Sequence, residues 1–389
     1  MLRVHVPLDP TKTGQEAEVL ETNLRKLIVG QDAAIEQIVR IYQTYLAGMT
    51  APGRPIANFL FLGPTGSGKT RTVEATAEAL LKNSRAVIKI DCAEFQHSHE
   101  IAKLIGSPPG YLGHRETHPL LSQEVLNQFH TDTMKVSFVL FDEIEKASGA
   151  LWNLLLGVLD KATLTLGDNR AVDFSHAMIF MTSNLGAAEM SAIINPKLGF
   201  TARESARQSK AGVVDGKLNI QLARSGAEAA RRNFTPEFIN RLDNIVTFQP
   251  LGAEQLRKVL DIELNLVQQR IFNTSPERSF VFKATDPAKD FMLQQGTDLK
   301  YGARHLKRAI ERLLVHPMSC LIATEQVRGG DAIRVDFDPS RNCLTFLKEA
   351  EGLTMGVMAD LPDQSIMLAA PALGTGASAD TAKIQTAGS

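Results

Sequence analysis

Cysteine is scarce in this chain, and neither sign of charge dominates. Its three cysteines are widely spaced and odd in number, which excludes a disulfide framework and a zinc-ligand pattern. The formal net charge of −1 provides no overall attraction to nucleic acid or to an anionic membrane. The 389-residue sequence also lacks an apolar run of about 18 residues and an N-terminal signal segment. We therefore expect a cytoplasmic protein with no nucleic-acid and no membrane partner.

Apolar runs that read as strands alternate with helical patterns over much of the chain. They lie at 58–62, 86–90, 136–141, 177–181 and 245–248. This alternation is typical of an α/β fold in which helices cover both faces of a parallel sheet. From about Leu251 the pattern changes to longer helices, a short strand at 279–283 and a hairpin at 332–347. The sequence therefore predicts a second, smaller α+β domain.

The clearest motif is the glycine-rich segment GPTGSGKT, between an apolar run and a helix-forming stretch. This order is that of a phosphate-binding P-loop, in which glycines let backbone N–H groups turn inward around a phosphate. Lys69 offers a charge to the β- and γ-phosphates, and Thr70 offers a hydroxyl to Mg²⁺. The sequence therefore predicts a nucleoside triphosphate site with Mg²⁺. Its loop residues are Gly63, Pro64, Thr65, Gly66, Ser67, Gly68, Lys69 and Thr70.

Two later strand-like runs end in polar side chains that suit phosphate chemistry. One ends in Asp142 and Glu143, which strand alternation sends in different directions. Asp142 can hold Mg²⁺, mostly through water, and Glu143 can orient and deprotonate the attacking water. The other run ends in Asn184, whose amide can position that water or contact the γ-phosphate. Either pattern alone is a common turn, and its weight comes from following a P-loop in the chain.

These residues belong to a longer series of motifs that resembles the Clp family of AAA+ ATPases. The match is to the second, C-terminal ATPase module of the bacterial Clp disaggregase and protease-partner unfoldases, and it runs from about residue 20 to 348. The matching segments, in order, are LIVGQ at 27–31, GPTGSGKT at 63–70, LIGSPPGYLG at 104–113, LFDEIEKA at 140–147, MTSNLG at 181–186, FTPEFINRLD at 234–243 and YGARHLKR at 301–308.

The resemblance implies a role for each matching residue. They are Ile28 and Val29 at the adenine, Lys69 and Thr70 as Walker A ligands, Asp142 and Glu143 as the Walker B pair, and Asn184 as sensor 1. Arg304 matches sensor 2, which reaches the γ-phosphate from the small domain. Arg241 matches the arginine finger, which acts on the ATP of a neighbouring subunit. Without the family match, both arginines would read as surface ion pairs.

Two further segments concern partners. Gly110, Tyr111, Leu112 and Gly113 match the pore loop that grips unfolded polypeptide, whereas the bland interpretation is a turn with Tyr111 packed on the core. Leu198-Gly199-Phe200 resembles the short tip with which some Clp unfoldases dock on a peptidase ring. An apolar anchor in a long loop accounts for this tip equally well.

The resemblance implies an organisation and a function. We expect an arm over 1–19, an AAA+ large domain over 20–249 with a polar excursion at 202–230, a Clp-type small domain over 250–348 and a disordered tail over 349–389. The expected activity is ATP-dependent unfolding or threading of polypeptides by a homo-oligomeric, hexameric ring that uses ATP and Mg²⁺. The alternatives are an ATP-binding regulatory subunit of a Clp-type protease, and a non-threading assembly or scaffold ATPase.

Overall fold

The chain folds into two units in the computed structural model, which describes residues 9, 12–107, 119–194, 216–274, 279–297 and 303–359. Unit 1 draws its residues from 1–262 and 291–312, and unit 2 from 263–290 and 313–389. The segment 303–312 therefore groups with unit 1. The domain boundaries expected at 249 and 348 stay a prediction.

The strands confirm the predicted parallel sheet. In chain order they are β1 (Ala57–Leu62), β2 (Ile88–Asp91), β3 (Ser137–Asp142), β4 (Thr163–Thr165), β5 (Ala171–Asp173), β6 (Ala177–Ser183), β7 (Asn244–Thr247), β8 (Val281–Ala284), β9 (Ala332–Asp338) and β10 (Cys343–Ala350). Unit 1 contains a five-stranded sheet in the order β2-β3-β6-β1-β7, with all neighbouring pairs parallel. Unit 2 contains a three-stranded sheet in the order β10-β9-β8. The sequence does not predict the small β4–β5 hairpin.

Helices connect and flank these strands. They are α1 (Gln15–Leu27), α2 (Asp32–Leu46), α3 (Lys69–Leu81), α4 (Ala102–Ile105), α5 (Gln123–Asn127), α6 (Gly149–Lys161), α7 (Ala187–Ile194), α8 (Gly216–Asn233), α9 (Pro236–Ile239), α10 (Ala253–Phe272), α11 (Asp286–Gly296), α12 (Ala303–Ile310), α13 (His316–Ala323) and α14 (Met355–Ala359). One wider turn, Glu311–Val315, joins α12 to α13.

The core of unit 1 lies on both faces of its sheet. Strand β1 is buried along its whole length, which explains why its sequence is apolar without alternation from Phe59 to Leu62. The side chains of successive β1 residues nevertheless point to opposite faces of the sheet. Leu60 and Leu62 belong to one apolar cluster, and Phe59 and Phe61 belong to the other. The rings of Phe59 and Phe180 stack at 5.0 Å between centroids, which ties β1 to β6.

Two expectations about irregular segments are wrong in part. Residues 216–230 belong to helix α8 rather than to a polar excursion, and Leu222 and Ala230 on this helix are buried. The chain is also ordered beyond 349, because β10 continues to Ala350 and α14 follows, with Met358 only 2% exposed. In both segments a few apolar side chains suffice for packing although the overall composition is polar or small. Residues 202–215 and 360–389 lie outside the described residues.

Candidate active site

The candidate site lies where β1, β3 and β6 end at one edge of the sheet. Leu62 of β1 pairs with Ser183 of β6, and Phe141 of β3 pairs with Met181 of β6, so the segments that follow these three strands leave the sheet side by side. Gly63 continues this alignment, since its N–H donates to the Ser183 carbonyl at 3.2 Å. Ligands of open parallel sheets bind outside the carboxyl ends of the strands. The topology therefore brings the P-loop to the expected edge.

The P-loop depends on glycine at two positions for different reasons. Gly63 has φ +142°, and a Cβ there would lie 2.5 Å from the Phe248 carbonyl oxygen, so β7 approaches too closely for a side chain. Gly68 has φ +99° immediately before α3, and a Cβ there would meet no atom within 4 Å. Its open surroundings leave the first turn of α3 accessible. Thr70 lies half-buried in that turn.

Lys69 holds the loop closed on itself through three hydrogen bonds. Its Nζ donates to the Gly63 carbonyl at 2.6 Å, to the Pro64 carbonyl at 3.0 Å and to Asn184 Oδ1 at 3.0 Å. Burial lowers the pKa of the Lys69 ammonium to about 8, and nearby carboxylates, Glu145 foremost, oppose that shift. The site thus holds a desolvated positive charge whose partners are mostly neutral oxygens.

The acidic pair after β3 is oriented by a strained turn and by Thr182. The Thr182 hydroxyl donates to Asp142 Oδ1 and accepts from the Glu143 backbone N–H at 3.1 Å. Glu143 has φ +56°, a left-handed conformation that is uncommon for a non-glycine residue and is often found at functional sites. The Asp142 carboxylate thus contacts Thr182, whereas the Glu143 carboxylate contacts Lys146 and Asn184.

Glu143 is held by two neighbours. Its Oε2 pairs with the Lys146 ammonium, and its Oε1 accepts from Asn184 Nδ2 at 3.3 Å. The Lys146 hydrogen bond is the main reason why the pKa of the Glu143 carboxyl is lowered. Glu143 is consequently ionised at neutral pH, which is the state that a general base requires.

Asn184 joins the three segments. Its Oδ1 accepts from Lys69 and from Thr65 Oγ1 at 3.3 Å, and its Nδ2 donates to Glu143. Its backbone N–H donates to Glu145 Oε1 at 3.1 Å. The other oxygen, Glu145 Oε2, is buried and has no hydrogen-bond partner among the described residues. The Asn184 side chain thus links the P-loop to Glu143, and its backbone N–H adds a contact to Glu145.

Gln31 ties the predicted adenine segment to the loop. Ile28 is buried and Val29 half-buried just before it. The Gln31 Nε2 donates to the Ser67 carbonyl at 3.0 Å and to the Gln249 carbonyl at 2.9 Å. Its Oε1 accepts from the Gln249 N–H at 3.1 Å. The side chain is therefore a clamp between the segment before α2, the P-loop and the end of β7.

The two arginines lie in different surroundings. Arg304 is near the site, because the Ala303 N–H donates to the Gly66 carbonyl at 3.2 Å and the Arg304 charge lowers the pKa of both Lys69 and Glu143. Arg241 instead forms ion pairs with Glu237 at 3.1 Å and with Asp160 at 3.8 Å.

Some sequence predictions cannot be placed, and some contributors were missed. The segments Gly110-Tyr111-Leu112-Gly113 and Leu198-Gly199-Phe200 lie outside the described residues. The sequence reasoning assigned no role to Gln31, Thr182, Glu145 or Lys146. All four fall inside the motifs that carry the family resemblance, and that position was the available signal. No helix within the described ranges is both long and apolar enough to cross a bilayer.

The residues at this edge suit a nucleotide and its Mg²⁺. A buried cation whose hydrogen bonds go to loop carbonyls, an open helix N-terminus and an ionised carboxylate are the donor set that phosphates and a divalent cation require. The loop also has room, since the space beside Gly68 is unfilled.

Comparison with known proteins agrees with this geometry. Residues 54–245 match the AAA domain (Cdc48 subfamily), and residues 251–335 match the C-terminal, D2-small domain of ClpB protein. The chain therefore belongs to the AAA+ ATPases, a class whose members bind nucleotide. Within that class it belongs to the Clp family, and it corresponds to the C-terminal ATPase module of the ClpB type.

Individual relatives are similar over most of the chain. The chaperone protein ClpB of Bdellovibrio bacteriovorus is 37% identical over 327 residues, which cover 84% of this chain and 34% of the relative. ClpB of Meiothermus ruber is 36% identical, with coverage of 86% and 36%. The ATP-dependent Clp protease ATP-binding subunit ClpC of Staphylococcus aureus is 34% identical, with coverage of 82% and 36%. The chain spans about a third of the length of the curated relatives it matches.

A solved structure shares the fold. A closed state of Hsp104, reconstructed with ATPγS and FITC casein, superposes with a TM-score of 0.67 at 28% sequence identity. The match covers 86% of this chain and 52% of that one. The parallel five-stranded sheet with flanking helices and the small C-terminal domain are thus those of the AAA+ fold.

Proposed function

We propose that this chain hydrolyses ATP with Mg²⁺ and couples the reaction to remodelling or threading of polypeptides in a homohexameric ring. The observation that carries the proposal is the convergence of Lys69, Glu143 and Asn184 at the edge where β1, β3 and β6 end. These residues come from three separate segments, and a single amide connects them. The names of the ClpB and Hsp104 relatives, and the casein in the Hsp104 structure, support a polypeptide substrate.

ATP binding is an exchange of partners at Lys69. The β- and γ-phosphates replace the Gly63 and Pro64 carbonyls as acceptors, which gives the desolvated ammonium a negative partner. The N-terminus of α3 adds backbone donors. Thr70 and Asp142 would hold Mg²⁺, which supplies charge neutralisation between the phosphates when bound. Ile28 and Val29 contact the adenine.

Hydrolysis requires Glu143 to reach the attacking water. Its carboxylate forms an ion pair with Lys146 and accepts a hydrogen bond from Asn184. When the γ-phosphate takes over Lys69, the Asn184 amide loses that donor and can turn its contacts to the phosphate or the water. Glu143 then accepts the proton of the water as general base. Arg304, whose charge already acts on Lys69 and Glu143, adds positive charge near the γ-phosphate.

The remaining charge comes from a neighbouring subunit. Phosphoryl transfer spreads negative charge over the γ-oxygens, and a guanidinium supplied in trans increases the rate by roughly 10³–10⁵. We assign this role to Arg241. Hydrolysis then depends on assembly, which suits a ring that pulls on one chain with several subunits.

Grip on the substrate falls to Gly110, Tyr111, Leu112 and Gly113. An aromatic side chain between glycines offers a large apolar face that holds any polypeptide without reading its sequence. A second candidate, an energy-supplying partner of a peptidase docked through Leu198-Gly199-Phe200, is favoured by the similarity to the ClpC subunit of a Clp protease.

Nucleotide binding and turnover of two variants test the chemistry. Lys69→Ala should lose tight ATP binding. Glu143→Gln should bind ATP and hydrolyse it far more slowly, since the amide cannot accept the proton. Glu78→Gln, which alters an acid on α3 outside this cluster, is the matched control and should turn over normally. Normal turnover by Glu143→Gln contradicts the assignment.

Unfolding of a tagged model substrate tests the threading step. Tyr111→Ala should keep basal ATPase activity and lose the ability to unfold the substrate. Tyr111→Phe, which keeps the aromatic side chain, should retain both activities. Equal unfolding by Tyr111→Ala and the unmodified protein would favour the non-threading scaffold ATPase.

A further inference from the structure

A buried asparagine interrupts the apolar strand that leads into the P-loop. Asn58 in β1 is 0% exposed, although its strand neighbours are apolar. Its Nδ2 donates to the Leu159 carbonyl at 3.1 Å and to the Arg241 carbonyl at 3.3 Å. Its Oδ1 is buried without a hydrogen-bond partner among the described residues. A buried amide with an unsatisfied oxygen is costly, and what offsets this cost is the pair of hydrogen bonds that its Nδ2 donates.

The main chain at the same position holds the segment after Arg241. The Asn58 N–H donates to Asp243 Oδ2 at 2.9 Å, and the Asp243 N–H donates to the Asn58 carbonyl at 3.1 Å. Arg54 adds an ion pair to Asp243 at 3.3 Å and a long contact to the Arg241 carbonyl at 3.5 Å. The backbone from Arg241 to Asp243 is thus held by Asn58 at the start of β1 and by Arg54 just before it.

The guanidinium of Arg241 contacts α6, the helix that also accepts a hydrogen bond from Asn58. It pairs with Asp160 at 3.8 Å, and Asp160 follows Leu159, whose carbonyl accepts the second Asn58 hydrogen bond. The Asn58 amide therefore bonds both the Arg241 backbone and the C-terminal end of α6, whose Asp160 pairs with the Arg241 side chain.

We propose that Asn58 is the positioning residue of the arginine finger, fixing Arg241 on the strand that carries the subunit's own P-loop. The inference rests on the proposed trans role of Arg241. Strand β1 then has a function at each end, because its start holds the finger for the neighbour and its end holds the nucleotide of its own subunit. A finger that is loosely held loses transition-state stabilisation, since a misplacement of about 1 Å can cost on the order of 10²-fold in rate.

The first measurement is made on the Asn58→Ala variant of the 389-residue chain. ATP affinity should be unchanged, because the P-loop contacts lie at the other end of β1. Steady-state ATP turnover should fall by roughly 10- to 100-fold. Ser137→Ala is the matched control, since it removes a buried strand hydroxyl that donates to the Leu126 carbonyl at 2.9 Å in β3 of the same sheet. Its turnover should be near normal.

Mixed rings separate a positioning role from general damage. Mixed with Lys69→Ala, the Asn58→Ala subunit keeps a working P-loop and receives an intact finger, so activity should recover. Mixed with Arg241→Ala, it should not recover, because neither subunit supplies a well-placed finger. The reverse pattern, recovery with Arg241→Ala and none with Lys69→Ala, would mean that Asn58→Ala damages its own nucleotide site, and this would overturn the inference.

The control mixture tests the proposed function separately. Arg241→Ala and Lys69→Ala should complement each other if the finger acts in trans. Failure of that pair, with mixing confirmed, refutes the trans role of Arg241 and with it the basis of the inference. If the pair complements and Asn58→Ala has normal turnover, only the role of Asn58 fails.

A milder change covers the case in which Asn58→Ala does not fold. Asn58→Ser keeps one donor, which can reach only one of the two carbonyls. Its turnover should lie between those of the unmodified protein and Arg241→Ala, with recovery by Lys69→Ala alone. Normal turnover of a folded Asn58→Ser whose hydrogen bond to the Arg241 carbonyl is lost would contradict the proposal.

Discussion

The side chain of Gln31 offers a prediction that links stability to nucleotide binding. It is 4% exposed and makes three hydrogen bonds to backbone groups, namely the Ser67 carbonyl and both the carbonyl and the N–H of Gln249. Gln31→Ala removes all three. It leaves the buried Ser67 carbonyl and the partly buried carbonyl and N–H of Gln249 without those partners.

The expected loss follows from the number of orphaned groups. Each buried donor or acceptor that loses its partner costs about 1–3 kcal/mol. For the three groups we expect unit 1 to lose about 3 kcal/mol or more in the free energy of unfolding. Because one of them is the Ser67 carbonyl, the P-loop also loses a contact that holds it in its binding conformation. Each 1.4 kcal/mol of lost preorganisation weakens ATP binding about tenfold, and we expect a decrease of at least this order.

A second buried glutamine provides the matched control. Gln268 in unit 2 is 3% exposed, donates to the Phe280 carbonyl at 2.7 Å and accepts from the Phe282 N–H at 3.0 Å. Gln268→Ala removes the same chemistry from another site. Urea unfolding followed by far-UV circular dichroism, together with titration of a fluorescent ATP analogue, should show destabilisation in both variants and weaker nucleotide binding in Gln31→Ala alone.

Two results would refute this reasoning. Unchanged stability of Gln31→Ala would mean that the three hydrogen bonds contribute little. Lower stability with unchanged ATP affinity would mean that the clamp supports the fold without preorganising the P-loop.

Three other residues give separate tests. Gly63→Ala should lower the free energy of unfolding by about 1–3 kcal/mol or more in a denaturant titration. The reason is that φ is +142° and the new Cβ would lie 2.5 Å from the Phe248 carbonyl oxygen. Unchanged stability would show that the segment after β7 can move away. Since burial lowers the pKa of Lys69 to about 8 and bound phosphates favour the charged form, ATP affinity should hold below pH 8 and weaken by up to about tenfold per pH unit above it. Lys69→Arg should remove this pH dependence, and an equal pH dependence in both proteins would contradict the assignment. Because Lys146 lowers the pKa of Glu143, Lys146→Ala should move the acidic limb of the ATPase pH profile to higher pH, whereas Lys146→Arg should leave it in place. An unmoved acidic limb in Lys146→Ala would contradict the control of the Glu143 pKa by Lys146.

Much of the architecture could be read from local sequence. The central strands β1, β3 and β6 are buried on both faces, so they appear as largely apolar runs that need no tertiary information to be found. The chemistry at their ends is equally local, because the carboxyl ends of parallel strands share one edge of the sheet. For that reason the sequence could predict that the P-loop, Glu143 and Asn184 lie at one edge of the sheet, where Asn184 bonds both Lys69 and Glu143.

The misjudged segments show where local pattern fails. Helix α8 is rich in polar and small residues, yet Leu222 and Ala230 are buried on one side of it. Helix α14 is only one turn and depends on the packing of Met358. In both places the surrounding structure, rather than the intrinsic preference of the residues, decides the conformation.

The sequence by itself determined which residues we propose for the phosphate chemistry and in what order they follow one another. Only the tertiary structure decided what holds them in place. Gln31 and Gln249 are 218 residues apart, and Asn58 and Arg241 are 183 residues apart. A hydrogen bond of about 3 Å between such residues depends on the path of the whole intervening chain, because its strength falls steeply with distance and angle. No local pattern contains that information, so the supporting residues of the site become visible only in the fold.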